Sequence, residues 1–134
     1  PNGSHAMNIK PFLFVKEIEG KGRGVFTRDE IPKGTRIEES PVIVLSKKDS
    51  EFADRTLLHD YLFVWGERQL KTCVALGYCS IYNHSYDPNC DHEMDFEKRT
   101  MRIRTLRHIK KGEELFINYN GELGNDSPLW FKVR

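Results

Sequence analysis

The stretch GYCSIYNHSYDPNC, residues 77–90, places two cysteines, an Asn-His pair and an Asp-Pro turn signal in one short segment. Four interpretations of it are open: a zinc site, a glycosylated surface loop, a catalytic histidine, or part of a cofactor pocket. Each makes a different demand on the rest of the sequence.

A zinc site would have to use the ligands of this region, which are Cys79, His84, Cys90 and His92 in the spacing C-x4-H-x5-C-x-H. That spacing lacks the short C-x2–4-C pair of structural zinc sites. Buried free cysteines that pack as small apolar residues explain Cys79 and Cys90 at least as well. We therefore predict no metal site. No spacing singles out a thiol partner for a catalytic His84 either.

Glycosylation of Asn83, within the sequon Asn-His-Ser, requires a secreted chain. The opening PNGSHAM resembles a vector remnant with Met7 as the natural start, so residues 1–6 are set aside as a tag. The apolar run after Met7 is FLFV, too short for a signal peptide or a membrane helix. Three cysteines, an odd count, favour reduced thiols. We expect a cytoplasmic protein without a membrane segment.

The charge balance argues against a nucleic-acid partner. Among 134 residues, 21 are basic and 20 acidic, and the two signs are interspersed. Proteins that bind DNA or RNA more often carry a patch of one sign. The length suits one domain with a modest core.

Short apolar or alternating runs dominate the chain and indicate strands. They are FLFV (12–15), GVF (24–26), VIVL (42–45), MRIRTL (101–106) and LFINY (115–119), separated by glycine and proline signals. In MRIRTL the strict alternation predicts one wet face. The segment SEFADRTLLHDYL (50–62) predicts a helix, with Ser50 as N-cap. The fold class is therefore mainly β, with one or two short helices.

Two segments repeat one pattern: EIPKGTRIEE (30–39) and HIKKGEELFI (108–117). Each predicts a strand, a glycine-bearing turn and a further strand. Either two β-turns obey the same sequence rules, or the fold contains two related corners. Both interpretations stay open at this point.

The glycine-rich GKGRGVF (20–26) is not a dinucleotide-binding loop. Its glycines follow the pattern G-x-G-x-G, and strand and turn signals follow where a helix would be required. What it offers is backbone that can approach another group closely.

Taken together, three segments resemble motifs of the SET-domain family of protein-lysine methyltransferases, in the family's order. GKGRGVFT resembles its Gly-x-Gly-Val-Phe motif, IYNHSYDPNC its Asn-His-Ser-Cys-x-Pro-Asn motif, and KKGEELFINY its Gly-Glu-Glu-Leu stretch ending in the catalytic Tyr. The match is closer still to the small stand-alone members, including the viral histone methyltransferase, which carry counterparts of DYLF (60–63), ALGY (75–78) and MRI (101–103) in the same places. It covers residues 10–119.

The resemblance implies a β-clip fold of small curled sheets with a C-terminal pseudoknot. The Asn-His strand and the Tyr strand would lie side by side. S-adenosylmethionine would bind on one face, and the product would be S-adenosylhomocysteine. Its contacts would come from Lys21, Gly22, Arg23 and Gly24, mainly through the backbone, and from Asn83. His84 would contribute backbone contacts, with its ring in a structural role.

The resemblance also implies which residues take part in catalysis and bind the substrate lysine. Tyr119 would place its hydroxyl near the methyl group and the lysine nitrogen, Tyr61 would be catalytic by lining the lysine channel, and Ile117 would line the same channel. Lacking a hydroxyl, Ile117 favours di- or trimethylation. The substrate would be a lysine-bearing protein or peptide such as a histone, attracted by acids at the channel mouth, for which the candidates are Glu38, Glu39 and Asp60.

The sequence departs from the family pattern at Tyr86, where many members carry a zinc-binding cysteine, and residues 120–134 contain no cysteine. We thus expect a tag at 1–6, a SET domain at 7–120 and a tail at 121–134. Trp130 of that tail, with Phe131 beside it, would cover the cofactor. A homodimer is expected by analogy with small relatives. The alternative is a SET-like module that binds peptide or cofactor without turnover.

Overall fold

The computed structural model describes residues 7–66 and 71–119. The segments predicted as a tag and a C-terminal tail, Trp130 and Phe131 included, lie outside the described residues. The described chain forms ten strands and one α-helix, with a 3-10 helix at Leu57–Tyr61. The elements are β1 Asn8–Ile9, β2 Leu13–Ile18, β3 Gly22–Thr27, β4 Arg36–Leu45, α1 Lys47–Ala53, β5 Leu62–Trp65, β6 Lys71–Ala75, β7 Asn83–His84, β8 Cys90–Asp95, β9 Thr100–Thr105 and β10 Glu114–Ile117.

The larger sheet has the strand order β5-β6-β4-β9-β8, and β1 pairs with β4. As its alternation predicts, β9 buries Met101, Ile103 and Thr105 and turns Arg102 and Arg104 toward solvent. On that wet face Arg102 pairs with Glu93 and, over 3.2 Å, with Asp95, both of the neighbouring β8. A register shift between Arg36 and Glu38 interrupts the pairing of β4 with β9.

The smaller sheet has the order β2-β3-β10-β7, so the last described strand lies between two earlier ones. β10 is antiparallel to β3 and parallel to β7, where Phe116 is opposite Asn83 and Ile117 is opposite His84. The expected side-by-side placement of the Asn-His and Tyr segments is confirmed. This insertion of β10 is the part of the pseudoknot that the described residues carry.

The two segments with the repeated pattern pack directly against each other. Ile31 and Ile109 form an antiparallel bridge with reciprocal N–H···O bonds of 3.0 and 2.9 Å. Two equivalent backbone bonds flank it: the N–H of Gly34 donates to the carbonyl of Thr105, and the N–H of Gly112 donates to the carbonyl of Thr27, each over 2.9 Å. Both glycines have positive φ, at 80° and 85°. Of the two interpretations, the structure favours a pair of related corners.

The core lies between the two sheets and extends under both corners. Its members are fully or nearly fully buried and come from almost every strand; they include Val25, Ile31, Ile37, Cys73, Cys79, Tyr82, Cys90, Met101, Ile103, Ile109, Leu115 and Ile117. Burial of this apolar surface is the main source of the fold's stability.

The sequence pattern predicted the helix at the wrong position, residues 50–62. α1 begins at Lys47, and its N-cap is Ser46, whose hydroxyl accepts from the N–H of Asp49 over 3.0 Å. The helix ends at Ala53, and residues 57–61 form the 3-10 helix instead of continuing it. Leu57, within the predicted helix, is 80% exposed. Ser50 lies inside α1 and hydrogen-bonds to Thr72 of β6.

Within residues 7–66 and 71–119, no helix is long and apolar enough to cross a membrane.

Candidate active site

The site is built where β7 and β10 run side by side. Two residues after β10 ends at Ile117, the backbone N–H of Tyr119 donates to Nδ1 of His84 over 3.0 Å. The rings of the two residues are 5.2 Å apart. Two segments distant in sequence, the Asn-His pair and the end of LFINY, thereby become one unit.

The hydroxyl of Tyr119 is held at a fixed point by the backbone. It donates to the carbonyl oxygen of Tyr82 over 2.5 Å, and the ring packs edge-on against Phe63 with centroids 6.3 Å apart. The same ring borders a pocket whose other lining residues are Asp60, Tyr61, Leu62, Phe63, Val64 and Ser80. Its lining includes the aromatic rings of Tyr61, Phe63 and Tyr119 together with the exposed residue Asp60.

Asn83, the residue after Tyr82, has a side-chain oxygen without a hydrogen-bond partner among the described residues. Its side-chain NH₂ donates to the carbonyl of Arg23 over 3.1 Å and to Oε2 of Glu114 over 2.7 Å. Its Oδ1 is buried and has no hydrogen-bond partner in the described part of the chain. Buried polar atoms are almost always paired, so this oxygen marks a place for a donor from outside.

Gly24 allows this close approach of β3 to Asn83. A Cβ at Gly24 would lie 2.6 Å from Oε2 of Glu114, 2.9 Å from Cδ1 of Ile18 and 3.0 Å from Nδ2 of Asn83. Gly22 differs, since a Cβ there would meet nothing within 4 Å, and its φ of +82° is what favours glycine. Lys21, Gly22 and Arg23 are exposed beside buried Asn83, so that this backbone borders an open face.

The ring of His84 is buried and neutral. Burial lowers its pKa, since the charged form loses hydration. Nδ1 accepts from Tyr119, so the ring proton is on Nε2, which is buried and has no hydrogen-bond partner among the described residues. Tyr86 packs against this ring edge-on at 4.3 Å. The residue that replaces the family's cysteine therefore contacts the Asn-His pair.

The cysteines are protonated and buried. Burial raises the pKa of Cys73 and of Cys90 to about 12, and that of Cys79 well above its ordinary value. No group of three or more histidine, cysteine or acidic side chains could hold a metal ion within residues 7–66 and 71–119.

The structure brings together most of the residues singled out from the sequence. Tyr61 and Tyr119 line one pocket, and Arg23, Gly24, Asn83 and His84 lie around Tyr82 and β10. Ile117 is fully buried and is not among the residues that line this pocket, so its place in the channel stays a prediction.

The proposal that Glu38 lies at the channel mouth is wrong. Glu38 is 1% exposed and hydrogen-bonds inside the protein. Glu39 is half-buried and accepts from the Thr100 hydroxyl over 2.8 Å, whereas Asp60 is exposed at the pocket. Sequence reasoning missed four residues of the site, Phe63, Ser80, Tyr82 and Glu114. Two of them carried a sequence signal. Tyr82 is adjacent to Asn83, and Glu114 lies within KKGEELF.

Comparison with known proteins assigns this arrangement to a family. A model of the SET domain matches residues 22–120. A Schizosaccharomyces pombe histone-lysine N-methyltransferase specific for H3 lysine-37 is 39% identical over 125 residues, 92% of this chain and 80% of the relative. A Cryptococcus neoformans histone-lysine N-methyltransferase specific for H3 lysine-36 is 32% identical over 122 residues, 84% of this chain but 15% of the relative.

Solved structures agree in fold. A candidate histone methyltransferase of Plasmodium falciparum superposes with a TM-score of 0.63 at 26% identity, covering 83% of this chain and 95% of that one. A chain of a Chaetomium thermophilum Polycomb Repressive Complex 2 gives a TM-score of 0.66 at 24% identity, covering 87% of this chain and 16% of its own. At that identity the second match speaks for the fold alone.

Proposed function

Because the chain belongs to the SET-domain family and is a protein-lysine N-methyltransferase, we propose that it methylates lysine side chains of histones with S-adenosylmethionine as donor. The observation that carries this proposal is the placement of the Tyr119 hydroxyl. It is fixed on the Tyr82 carbonyl, its ring lines the same pocket as Tyr61 and Phe63, and the residue next to Tyr82, Asn83, carries a buried oxygen without a partner among the described residues.

The residues present fit the donor. The buried Oδ1 of Asn83 needs a hydrogen-bond donor, which the ammonium group of S-adenosylmethionine offers. Gly24 lets β3 approach Asn83 closely, and the exposed backbone of Lys21 to Arg23 offers further contacts. When bound, the cofactor supplies a methyl group on a positively charged sulfur and leaves as S-adenosylhomocysteine. A contact from Trp130 is part of the same proposal, although that residue lies outside the described ones.

The chain's own task is alignment and the exclusion of water. Tyr119, held by Tyr82 and packed against Phe63, presents a hydroxyl oxygen that orients the lysine nitrogen. Tyr61 forms another wall of the same pocket.

The lysine nitrogen must be neutral to react. With a pKa of about 10.4, deprotonation at about pH 8 costs about 3 kcal/mol. The aromatic walls lower that pKa by removing hydration, while Asp60 at the rim attracts the charged form from solution. No separate general base is required in this scheme.

The substrate proposal comes from the relatives and from charge. Both relatives named above are described as acting on histone H3. The exposed carboxyl group of Asp60 at the pocket suits a basic segment such as a histone tail. We therefore place histone H3 first among substrates to be tested.

The alternative function is that of a SET-like module that binds peptide or cofactor without turnover. The Asn83 and Tyr119 pair argues against it, because a module that merely binds peptide has no chemical need for a tyrosine hydroxyl fixed beside the pocket. The homodimer and the cytoplasmic location expected from the sequence stay predictions, to be checked by light scattering of the purified protein and by cell fractionation.

The test is transfer of labelled methyl from S-adenosylmethionine to core histones and to a cell lysate. We expect label on a discrete band, lost in Tyr119→Phe and retained in Tyr78→Phe, a matched control outside the pocket lining. Stabilisation by the cofactor, about 2.7 kcal/mol at 100 times its dissociation constant, without any label would favour the binding module. Absence of both would refute the proposal.

A further inference from the structure

A buried carboxyl group in β4 connects the two halves of the molecule. Oε2 of Glu38 accepts from Ser40 Oγ over 2.7 Å, from the Tyr78 N–H over 2.8 Å and from Cys79 Sγ over 3.4 Å. Oε1 accepts from the Tyr82 hydroxyl over 2.7 Å. One side chain of the larger sheet thereby holds the segment that leads into β7 of the smaller one.

The backbone is shaped to reach this group. At Gly77 φ is +63°, and a Cβ there would lie 2.4 Å from Oε2 of Glu38 and 2.2 Å from Oγ of Ser40. Glycine thus serves two needs at once, a left-handed backbone and an approach too close for any side chain. An isolated buried carboxylate is costly, and these several donors offset that cost.

Tyr82 joins this group to the reaction centre. Its side chain is fully buried, its hydroxyl ends on Glu38, and its own carbonyl oxygen accepts the hydroxyl of Tyr119. Burial, reinforced by the nearby charge of Glu38, raises the pKa of Tyr82 well above its ordinary value. The hydroxyl therefore stays protonated and remains a donor at any pH used for assay.

We infer that Glu38 is a positioning residue for methyl transfer, acting through Tyr82 on the hydroxyl of Tyr119. Oε1 holds the far end of the Tyr82 side chain, and this anchor sets where the Tyr82 carbonyl points. The inference rests on the proposed function for its effect on rate, whereas the positioning itself can be observed without turnover.

The hydrogen bonds of Glu38 provide a matched pair of variants. Tyr82→Phe removes the bond on Oε1 and leaves the ring in the core. Ser40→Ala removes a bond of similar length on Oε2 and leaves the connection to Tyr82 intact. Both residues are fully buried, so both changes are expected to lower the melting temperature.

We expect the two variants to differ in catalysis. Tyr82→Phe should lower kcat about tenfold with KM for an H3 peptide within about twofold of wild type, because a small misplacement of an aligning group costs rate more than binding. Ser40→Ala should keep kcat. A kcat for Tyr82→Phe within about twofold of wild type would overturn the inference, as would an equal loss in Ser40→Ala.

A conservative replacement gives a second check. Glu38→Gln can still accept on one atom and donate from the other to the Tyr82 hydroxyl, so it should retain more of kcat than Glu38→Ala. Equal losses in the two variants would contradict a positioning role through Tyr82.

The measurement independent of activity is NMR of the five tyrosines labelled with ¹³C at Cζ, with Tyr119 assigned by its loss in Tyr119→Phe. The Tyr119 signal should shift in Tyr82→Phe and stay in place in Ser40→Ala. An unmoved signal would refute the positioning. A shifted signal in a protein that transfers no methyl would sustain the positioning and refute the proposed function instead.

Discussion

The backbone N–H of Tyr119 donates to Nδ1 of His84 across 3.0 Å. This bond requires the tautomer with its proton on Nε2, and it makes the ring an anchor for the Tyr119 backbone. A proton on Nδ1 would remove the acceptor and break the contact. Burial lowers the pKa of His84 and so protects this arrangement near neutral pH. The histidine of the Asn-His pair thus fixes the segment that carries Tyr119.

Stability should fall as the solution is acidified below about pH 6.5. Burial lowers the pKa of both His84 and His92 below the ordinary value of 6.5 in the folded state. The unfolded chain therefore binds more protons than the folded one in this window, and the free energy of unfolding rises with pH until both forms are neutral.

Urea unfolding at pH 7.5, 6.5 and 5.5 measures this dependence. The double variant His84→Asn, His92→Gln, which has no imidazole at either position, should show a flatter profile than wild type. A wild-type stability that rose on acidification would contradict the assignment of both rings as buried and neutral.

Gly24→Ala should abolish cofactor binding as well as reduce stability. The added Cβ would lie 2.6 Å from Oε2 of Glu114 and 2.9 Å from Cδ1 of Ile18, so both must shift, and Oε2 of Glu114 is the acceptor that holds the Asn83 amide. Overpacking of this kind costs about 1–3 kcal/mol. Thermal shift with S-adenosylmethionine measures both effects.

The control for this change is Gly34→Ala. Gly34 has φ +80° and nothing within 4 Å of an added Cβ, so strain alone costs about 1–2 kcal/mol. The thermal shift with cofactor should survive there. Loss of binding in both variants would mean that the loss in Gly24→Ala follows from general destabilisation.

Asn89→Ala should loosen β10. The Asn89 side chain donates to the carbonyl of Glu114 and accepts from the N–H of Phe116, each over 2.8 Å. Leaving both backbone groups without partners costs about 2–5 kcal/mol. Urea denaturation measures the loss, and Asp87→Ala, an exposed change in the same loop, should stay within about 0.5 kcal/mol of wild type. Equal stabilities of the two variants would show that β10 does not depend on this amide.

The product should extend beyond monomethyl-lysine. Ile117 is apolar and carries no hydroxyl that could hold a water molecule beside the target nitrogen. Mass spectrometry of an H3 peptide over time should show di- or trimethylated product, and a peptide already monomethylated should be accepted. Accumulation of monomethyl product alone would sink this prediction.

The five apolar or alternating runs predicted five of the ten described strands, β2, β3, β4, β9 and β10, whereas the other five, most of them shorter or more polar, were not predicted from local pattern. Local pattern also failed at the helix, where Ser46 and Ser50 both precede acidic residues and either could cap. The choice depended on tertiary contacts, since the Ser50 hydroxyl bonds to Thr72 of β6. Propensity along the chain carries no information about that partner.

Glu38 shows why the site could be predicted in part. The family motifs pointed to Asn83, His84 and Tyr119, but Glu38 and Glu39 are adjacent acids in a strand and both suggest a surface. In a strand with strict alternation, only one of two adjacent residues is buried. Ile37 and Glu38 are both buried, because the pairing of β4 with β9 shifts register there. A β-bulge of this kind depends on pairing across strands and leaves no local sequence signal.

The insertion of β10 between β3 and β7 has a consequence for biosynthesis. When the ribosome has made the chain as far as residue 105, β3 is paired only with β2, β7 lacks the strand it pairs with, and one of the two reciprocal corners is missing. Contacts between such distant segments form slowly compared with local ones. The tyrosine that serves the reaction follows directly on this late strand. Enzymatic activity therefore reports that assembly is complete, because a partly folded nascent chain has no Tyr119 in place with which to act.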